Sequence, residues 1–592
     1  AAGGGFDPIG VTSPSGRQDI TGHLDDDLSW TKGAHQLHIG GEFRKAQVHD
    51  FYQTGKRGTI YFDGSQGPWA NDKTITDPNL RYLADFLAGD FDPNYSNIVL
   101  GDSTRLVYVN TFALFAQDAW QINKRLNLNF GVRYDYEGPV HSGEPNLSIF
   151  DPTKASGLAV VGQDVSNIYQ KFWGGVSPRV GFAYRLDSNG KSVLRGGYGF
   201  YGDSVFMKSI LQNNGAQNIS VFGPEFNPAG SQKVAQAAGL NNTVIAAGQP
   251  IYQTYAAALA GQGTVAISTF DKSFRPSYTQ TYDLNIQHSF SSNVIWQAGY
   301  VGTQGIHLMG LFDINPETAG SANLANPNVT RPYYKQFSNF TTIDEARSNL
   351  GSNYNSLQTT LRVQNYHGLT SQLGYTWAHA LDYETGEIPY VAQNPLNEKG
   401  EYGNADFDVR QTLTGYLNYT VPHFAGPSRL VDGWEINSGY SFHGGTPYTV
   451  TSNSNPSNNG ESADRAVQVI KNPTAGVDHS IQNGIVQWFN PNAFVDAAQG
   501  TYSPTRRNQN FSPGYSAVDI AILKNTKVNE RVKAQFRADI FNAFNHVNLA
   551  PVGFDFASEA GVIGSTLGPY LGNPGIGPGE PRCAQFSLKM LF

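Results

Sequence analysis

The stretch from Arg125 to Gly138 reads RLNLNFGVRYDYEG, and its pattern decides the fold prediction. Leucine, phenylalanine, valine and tyrosine occupy every second position, with arginine, asparagine, glycine and aspartate between them. Because side chains on a β-strand point alternately to opposite faces, the stretch predicts a strand with one apolar and one polar face. It is about twice as long as the usual strand of a soluble protein. The apolar face must therefore contact either a protein core or lipid.

The composition of the chain excludes a helical membrane protein but permits a membrane barrel. No uninterrupted apolar run in the 592 residues approaches the ~18 residues that a membrane helix needs. The mean hydropathy of −0.37 is compatible with strands of which one face meets water. A net charge of −8 argues against nucleic acid as a partner. The single cysteine, Cys583, permits neither an intrachain disulfide nor a cysteine metal cluster.

The alternating pattern recurs along the whole chain and predicts an all-β protein with about fifteen strands. The predicted strands are 20–31, 35–50, 105–121, 125–138, 177–187, 192–203, 278–290, 293–305, 354–366, 369–381, 409–421, 433–445, 516–525, 530–543 and 584–592.

The connections between these strands alternate between short turns and long loops. Examples of short turns are 31–34, 123–124 and 291–293, whereas loops such as 51–104 and 204–277 are long and rich in Asn, Gly, Pro and Ser. An antiparallel transmembrane β-barrel has short periplasmic turns at one end and long extracellular loops at the other. A soluble β-sandwich or propeller has no reason to sort its connections in this way. We therefore predict a transmembrane barrel in the outer membrane, with outer-membrane lipid against its apolar face.

Charged residues alternate with the apolar ones and are predicted to face the lumen of the barrel. An arginine at the midplane of the lipid face costs about 2–4 kcal/mol, so folding requires these charges on the wet side. Contact with a plug inside the barrel is a further hypothesis for the same residues. The lumen-facing candidates are Arg125, Arg133, Asp135, Arg185, Arg537 and Asp539.

The number of strands and the last strand both carry further predictions. If strand 20–31 runs toward the periplasm, the fifteenth strand ends there as well, whereas single-chain bacterial barrels have an even number of strands. We therefore expect at least one strand before residue 1. The last strand is AQFSLKMLF, in which Phe586, Leu588, Met590 and Phe592 share one face. It resembles the terminal aromatic strand that barrel-insertion machinery reads; the alternative is an ordinary edge strand.

Several motifs with a chemical interpretation are better explained by structure. The glycines of GYGFYG (197–202) fit a dinucleotide fingerprint but lie within an alternating strand. His35 and His38 are three positions apart, which places them on opposite faces of a strand rather than around one metal. No nucleophile, base and orienting partner are arranged together. We predict no enzyme activity, no catalytic or metal-binding residue and no cofactor.

Two loop segments are also interpreted structurally. The acidic segment DYETGE (382–387), with Asp406 and Asp408, is compatible with cation or sugar binding or with a glycosidase pair, but solvated loop charge is the preferred interpretation. The segment LRYLADFLAG (80–89) predicts a helix with Leu80, Leu83, Ala84 and Leu87 on one side, packed over the mouth of the barrel.

Segments over nearly the whole chain resemble the C-terminal barrel of Oar-type TonB-dependent receptors. They include LSWTKGAHQLHIGGEFRK (28–45), FAQDAWQINKRLNLNFGVRYDYEGP (115–139), SPRVGFAYRLDSNGKSVLRGGYGFYGD (177–203), YTQTYDLNIQHSFSSNVIWQAGYVGTQGIHL (278–308), YNSLQTTLRVQNYHGLTSQLGYTWAHALD (354–382), DFDVRQTLTGYLNYTVP (406–422), WFNPNAF (488–494) and RVKAQFRADIFNAFNHVNL (531–549). The resemblance implies a barrel of 22 strands with an N-terminal plug. Residues 1–592 are then the C-terminal part of one barrel, without the plug and the first strands.

The resemblance implies uptake of an unknown bulky ligand across the outer membrane of a Gram-negative cell, coupled to the TonB system through the plug. The alternative is a structural or adhesive outer-membrane barrel that binds partners without active transport. A third possibility is a soluble secreted β-protein that binds glycans. Neither the ligand nor the loop residues that bind it can be read from the sequence.

Overall fold

A computed structural model describes most of the chain. The described residues are 15–52, 62–65, 67–88, 97–99, 104–142, 148–203, 231–233, 265–338, 340–386, 393–423, 425–452, 454–459, 464–553, 561–567, 579 and 581–591.

Fifteen long strands carry the architecture, as the alternating pattern predicts. We number them in chain order: β1 Ser15–Lys32, β2 His35–Tyr52, β3 Thr104–Gln121, β4 Leu126–Glu137, β5 Val176–Arg185, β6 Ser192–Gly202, β7 Tyr278–Ser289, β8 Val294–Asp313, β9 Phe340–Tyr366, β10 Leu369–Asp382, β11 Gln411–Thr420, β12 Trp434–His443, β13 Tyr515–Lys527, β14 Lys533–Phe541 and β15 Cys583–Leu591.

Each long strand pairs with the next one in the chain in antiparallel register, so the sheet is an up-and-down meander. Among the described residues, β1 pairs with β2 alone and β15 with β14 alone. The number, order and direction of the strands confirm the prediction. The additional strands needed to close the barrel remain a prediction.

The connections separate into two classes at the two ends of the sheet. At the short-turn end, β1 joins β2 through Gly33 and Ala34, and Gly33 has a φ of +61°. The β9–β10 turn places both His367 (φ 51°) and Gly368 (φ 83°) in the left-handed region, the combination that a two-residue hairpin turn needs. All the long connections leave from the opposite end, which we call the long-loop end.

The remaining elements are short and lie mainly in the long connections. The helices of the described residues are α1 Pro78–Ala88 and α2 Ser428–Val431, with 3₁₀ turns at Pro68–Asn71, Ser321–Asn323, Pro327–Thr330, Glu398–Glu401 and Pro491–Ala493. The short strands are Asn97–Val99, His141–Ser142, Ser148–Phe150, Leu158–Val160, Ser231–Lys233, Val265–Phe270, Gly403–Asn404, Pro447–Tyr448, Val467–Gln468, Val486–Gln487, Phe494–Val495, Asn510–Phe511 and Val562–Ile563.

The apolar face of the sheet is exposed along its length. Leu24 is 72% exposed, Leu114 60% and Phe586 69%, although all three lie on regular paired strands. In the described part of the chain, no second sheet covers these side chains. A water-soluble protein rarely exposes a continuous apolar surface of this extent. The apolar face therefore requires a lipid environment.

Aromatic side chains concentrate near both ends of the apolar face. On β3, Trp120 lies near the short turns and Phe112 lies eight residues away, roughly 26 Å along the strand. Trp30, Tyr184, Trp296 and Trp434 lie on the Trp120 side, whereas Phe43, Tyr134, Tyr136 and Tyr282 lie on the Phe112 side. Two aromatic rows around an apolar band are typical of outer-membrane barrels.

The buried hydrophobic core lies at the long-loop end. We call the described residues of the long connections, namely 62–88, 138–175, 265–277, 314–338, 383–410, 444–514 and 542–567 with their gaps, the loop layer. The largest cluster joins Val48 and Val107, at the loop ends of β2 and β3, to Val140, Ile168 and Phe274 in this layer. Val48 lies on the same face of β2 as Glu42, so the layer packs on the polar side of the sheet.

Two strands extend much further than the sequence predicts. Strand β8 ends at Asp313 rather than 305, and β9 begins at Phe340 rather than 354. The short strand Val265–Phe270 pairs in parallel with the start of β9, and Phe340 and Ile343 are fully buried beside it. Burial in the loop layer therefore continues this hairpin beyond the predicted ends, past a bulge at which His307 has a φ of 59°.

The predicted helix at 80–89 forms, but it packs differently from the prediction. Helix α1 spans Pro78–Ala88, and Leu80, Leu83 and Leu87 are exposed. Its buried side chain is Asp85, which accepts a hydrogen bond from the Trp69 indole at 2.7 Å. The helix is thus held to its neighbours through a buried carboxylate rather than through its leucines, and its packing over the barrel mouth stays a prediction.

Candidate functional site

The polar face carries a network of charged side chains near the middle of the first strands. Arg133 donates to Glu42 Oε2 at 3.0 Å and to Asp135 Oδ1 at 2.8 Å. His23 Nε2 lies 3.2 Å from the other oxygen of Glu42. The network spans β1, β2 and β4, and Arg133 joins a carboxylate of β2 to one of its own strand. This part of the polar face is therefore lined by paired polar and charged groups.

The other predicted lumen residues lie in two different settings. Arg537 and Asp539 form an ion pair along β14, with Nε and Oδ1 2.8 Å apart. Arg125 lies in the β3–β4 turn and Arg185 ends β5, and the backbone N–H of Arg185 donates to the carbonyl of Arg125 at 2.9 Å. Both arginines are exposed at the short-turn end. Contact of any of these residues with a plug stays a prediction.

The predicted insertion signal lies on the last strand. Phe586 and Leu588 are 69% and 71% exposed on the apolar face, and Phe586 stacks on Phe536 of β14 with a centroid distance of 6.3 Å. Met590 shares this face, and Phe592 lies outside the described residues. Recognition of this strand by the insertion machinery stays a prediction.

A shallow cavity of about 520 Å³ opens on the polar face where β3 to β7 meet. Its floor is bare backbone at Gly131, where an added Cβ would lie 2.5 Å from the Cβ of Gln117. The motif GYGFYG lies within β6 and contributes Gly197 and Gly199 to this floor. The strand therefore uses these glycines for close packing, as predicted.

The acidic segment at the end of β10 is buried in part, so the interpretation as solvated charge is wrong for Asp382 and Asp408, whereas Asp406 is exposed. Asp382 and Asp408 are 6% and 1% exposed. Arg507 binds both Asp382 and Asp406, and it also donates to the carbonyl of Glu401 at 3.1 Å. Arg507 comes from a loop more than a hundred residues away, and no local sequence pattern signals this pairing.

Glu384 of the same segment has a raised pKa. Burial raises its pKa to about 7, and the neighbouring carboxylates of Asp406 and Asp382 contribute in the same direction. The guanidinium of Arg507 opposes this rise only in part. The loop layer therefore contains a carboxyl group that changes charge near neutral pH.

One hydrogen-bonded polar pair lies on the apolar face, and the alternating sequence pattern does not predict it. His35 Nδ1 lies 2.6 Å from Asp118 Oδ2, and the His35 ring stacks on Trp120 with a centroid distance of 5.2 Å. The Asp118 side chain is 9% exposed. His38 bonds Ser29 instead, so the two histidines face opposite sides, as predicted.

The described residues contain neither a metal-binding cluster nor a membrane-spanning helix. No group of three or more His, Cys, Asp or Glu side chains in this part of the chain is arranged to hold a metal ion. Within the same residues, no helix has the length and apolarity needed to cross a membrane.

Comparison with protein families identifies the class of the protein. The model of the outer membrane beta barrel domain matches residues 1–571, and the chain therefore belongs to this family. The predicted transmembrane barrel and its location in the outer membrane are confirmed. The family consists of membrane barrels rather than enzymes, in agreement with the prediction. The Oar subtype stays a prediction.

Solved structures share the fold at low sequence identity. The outer membrane transporter YddB from Escherichia coli is 10% identical with a TM-score of 0.50, and the match covers 97% of this chain and 54% of YddB. The siderophore receptor PirA from Acinetobacter baumannii is 9% identical with a TM-score of 0.45, over 99% of this chain and 56% of PirA. The chain thus spans about half the length of these structures. No curated protein matches the chain.

Proposed function

We propose that this chain forms the wall and outer loops of a TonB-dependent receptor that takes up a bulky ligand across the outer membrane. The observation that carries the proposal is the division of one sheet into an exposed apolar face and a polar face with paired charges under a folded loop layer. The apolar face meets lipid, the polar face lines an aqueous passage, and the loop layer offers a binding surface at its long-loop end.

The proposed transport also involves parts other than the wall and the outer loops. A plug that blocks the passage and an energy-coupling segment that engages the TonB system belong to the proposal, as does folding by the barrel-insertion machinery. The shared fold with YddB, an outer membrane transporter, supports the wall and loops alone.

Uptake by whole cells tests the proposal. The parent strain, a strain lacking the gene and the complemented deletion strain are compared for accumulation of radiolabelled ferric siderophores, cobalamin, oligosaccharides and peptides. We expect the deletion to abolish accumulation of one compound, and a protonophore to abolish it in the parent. If no compound is taken up in a gene-dependent manner, and the deletion instead reduces attachment of cells to surfaces, the adhesive alternative is correct.

A further inference from the structure

We propose that a cavity in the loop layer binds an oxyanion, that is, a carboxylate or phosphate group. The cavity has a volume of about 450 Å³ and lies between the loop after β10 and the loop before β13. As a statement about the transported ligand, the inference rests on the proposed uptake function. As a statement about anion binding, it stands on the cavity alone.

The charged groups that line the cavity are predominantly positive. Lys399, Arg465 and Arg506 supply three positive charges, and Glu401 supplies one negative charge, which leaves a net charge of +2. The whole chain has a net charge of −8, so this concentration of cations runs against the overall composition. A positively charged concave surface attracts anions and repels cations.

Arg465 is held in place by partners on the protein. Its side chain is 6% exposed, and its two terminal nitrogens lie 2.9 and 3.1 Å from the two oxygens of Glu401. Its backbone N–H donates to Gln393 Oε1 at 3.1 Å, and Gln393 in turn donates to the carbonyl of Ser503 at 3.0 Å. This wall of the cavity is therefore organised without a ligand.

One donor of Arg465 is left unused. Its Nε is buried and has no hydrogen-bond partner among the described residues. Buried donors of this kind are rare in folded proteins, and the residue that carries this one lines the cavity. An oxyanion offers several acceptor oxygens, which matches guanidinium chemistry.

The other two positively charged side chains of the cavity can also bind an anion. Lys399 and Arg506 are exposed, and in the described part of the chain neither has a carboxylate within 4.0 Å. A neutral sugar would leave both charges without a partner, whereas an oxyanion would pair with them. The ligand class that fits this cavity is therefore an acid rather than a neutral compound.

The test is calorimetric titration of the complete protein in detergent micelles at pH 7, with citrate and inorganic phosphate as probes. The test variant is Lys399→Gln with Arg506→Gln, which removes two exposed charges and leaves the Arg465–Glu401 pair in place. The matched control is Lys471→Gln, an exposed lysine of the same layer outside the cavity. We expect the control to bind like the parent and the double variant to bind at least about tenfold more weakly.

A second titration identifies the source of the oxyanion. The protein is reconstituted in phosphatidylethanolamine bilayers with and without lipid A, and citrate is titrated again. Weaker citrate binding with lipid A means that a membrane phosphate fills the cavity, and unchanged binding means that a soluble acid does; both support the site. Absence of binding by all probes, or equal binding by parent and double variant, overturns it. If binding occurs but cells show no gene-dependent uptake, the proposed function fails and the anion site stands.

Discussion

The wall of the barrel and the loop layer follow opposite rules of burial within one chain. On the wall, Leu24 and Leu114 are more than half exposed, and the charged network around Arg133 and Glu42 lies on the opposite face. Phe489 of the loop layer and Phe312 and Phe340, at the strand ends that the layer covers, are fully buried, and ion pairs such as Arg465–Glu401 are buried in the layer as well. The wall is thus built for a hydrocarbon solvent and the loop layer for water. Apolar side chains are thus exposed to lipid on the wall but buried in the loop layer, within the same chain.

The largest effect is expected from breaking a buried ion pair in the loop layer. Glu401→Gln leaves Arg465 buried without a counter-charge, a change that typically costs about 3–5 kcal/mol. We expect faster hydrogen exchange in the loops around Arg465, with no change in the wall strands. Asp164→Asn, which removes the partner of Lys154 at an exposed site, is the matched control and should leave exchange unchanged. Equal exchange in the two variants would contradict the distinction between wall and layer.

A charge placed on the apolar face tests the wall itself. Val132→Arg on β4 puts a guanidinium near the middle of the apolar band and should destabilise the protein by about 2–4 kcal/mol. The control is Gln117→Arg on the polar face of β3, which should have little effect. Urea unfolding from lipid vesicles measures the difference. If both variants unfold alike, the apolar face does not meet lipid.

A smaller effect is expected from the polar pair on the apolar face. His35→Leu removes the partner of Asp118, whose side chain is nine-tenths buried, and should cost about 1 kcal/mol. Because His35 is 44% exposed, water or headgroups limit the loss. His38→Leu changes the same residue type on the opposite face and serves as the control. Unfolding midpoints that shift equally in the two variants would show that the pair contributes nothing specific.

The smallest effect concerns pH and the loop layer alone. Since the pKa of Glu384 is raised to about 7, the folded protein holds a proton that the unfolded chain releases near pH 4.5. The contribution of this group is therefore present at pH 4 and is lost as the pH rises toward 7. Glu384→Gln should flatten this part of the pH dependence of loop-layer hydrogen exchange. A variant with the same slope as the parent would assign the slope to another group.

The wall could be predicted from sequence because its strands alternate locally. Leu126 to Glu137 reveals both faces of β4 within twelve residues, and the same reasoning located all fifteen strands. The loop layer obeys no such period. Asp382 and Arg507 are 125 residues apart, so the composition of the acidic segment indicates solvated charge although the fold buries it. Helix α1 shows the same limit, because its position follows from local pattern but the burial of Asp85 depends on Trp69.

The long hairpin of β8 and β9 has a mechanical consequence. Its two strands stay paired, across the bulge at His307, from the lipid-facing part of the sheet to Asp313 and Asp344 among the loops. Lifting this part of the layer as a lid would mean unzipping backbone hydrogen bonds rather than turning a hinge. In the proposed uptake, this hairpin therefore stays in place while the solute passes beside it.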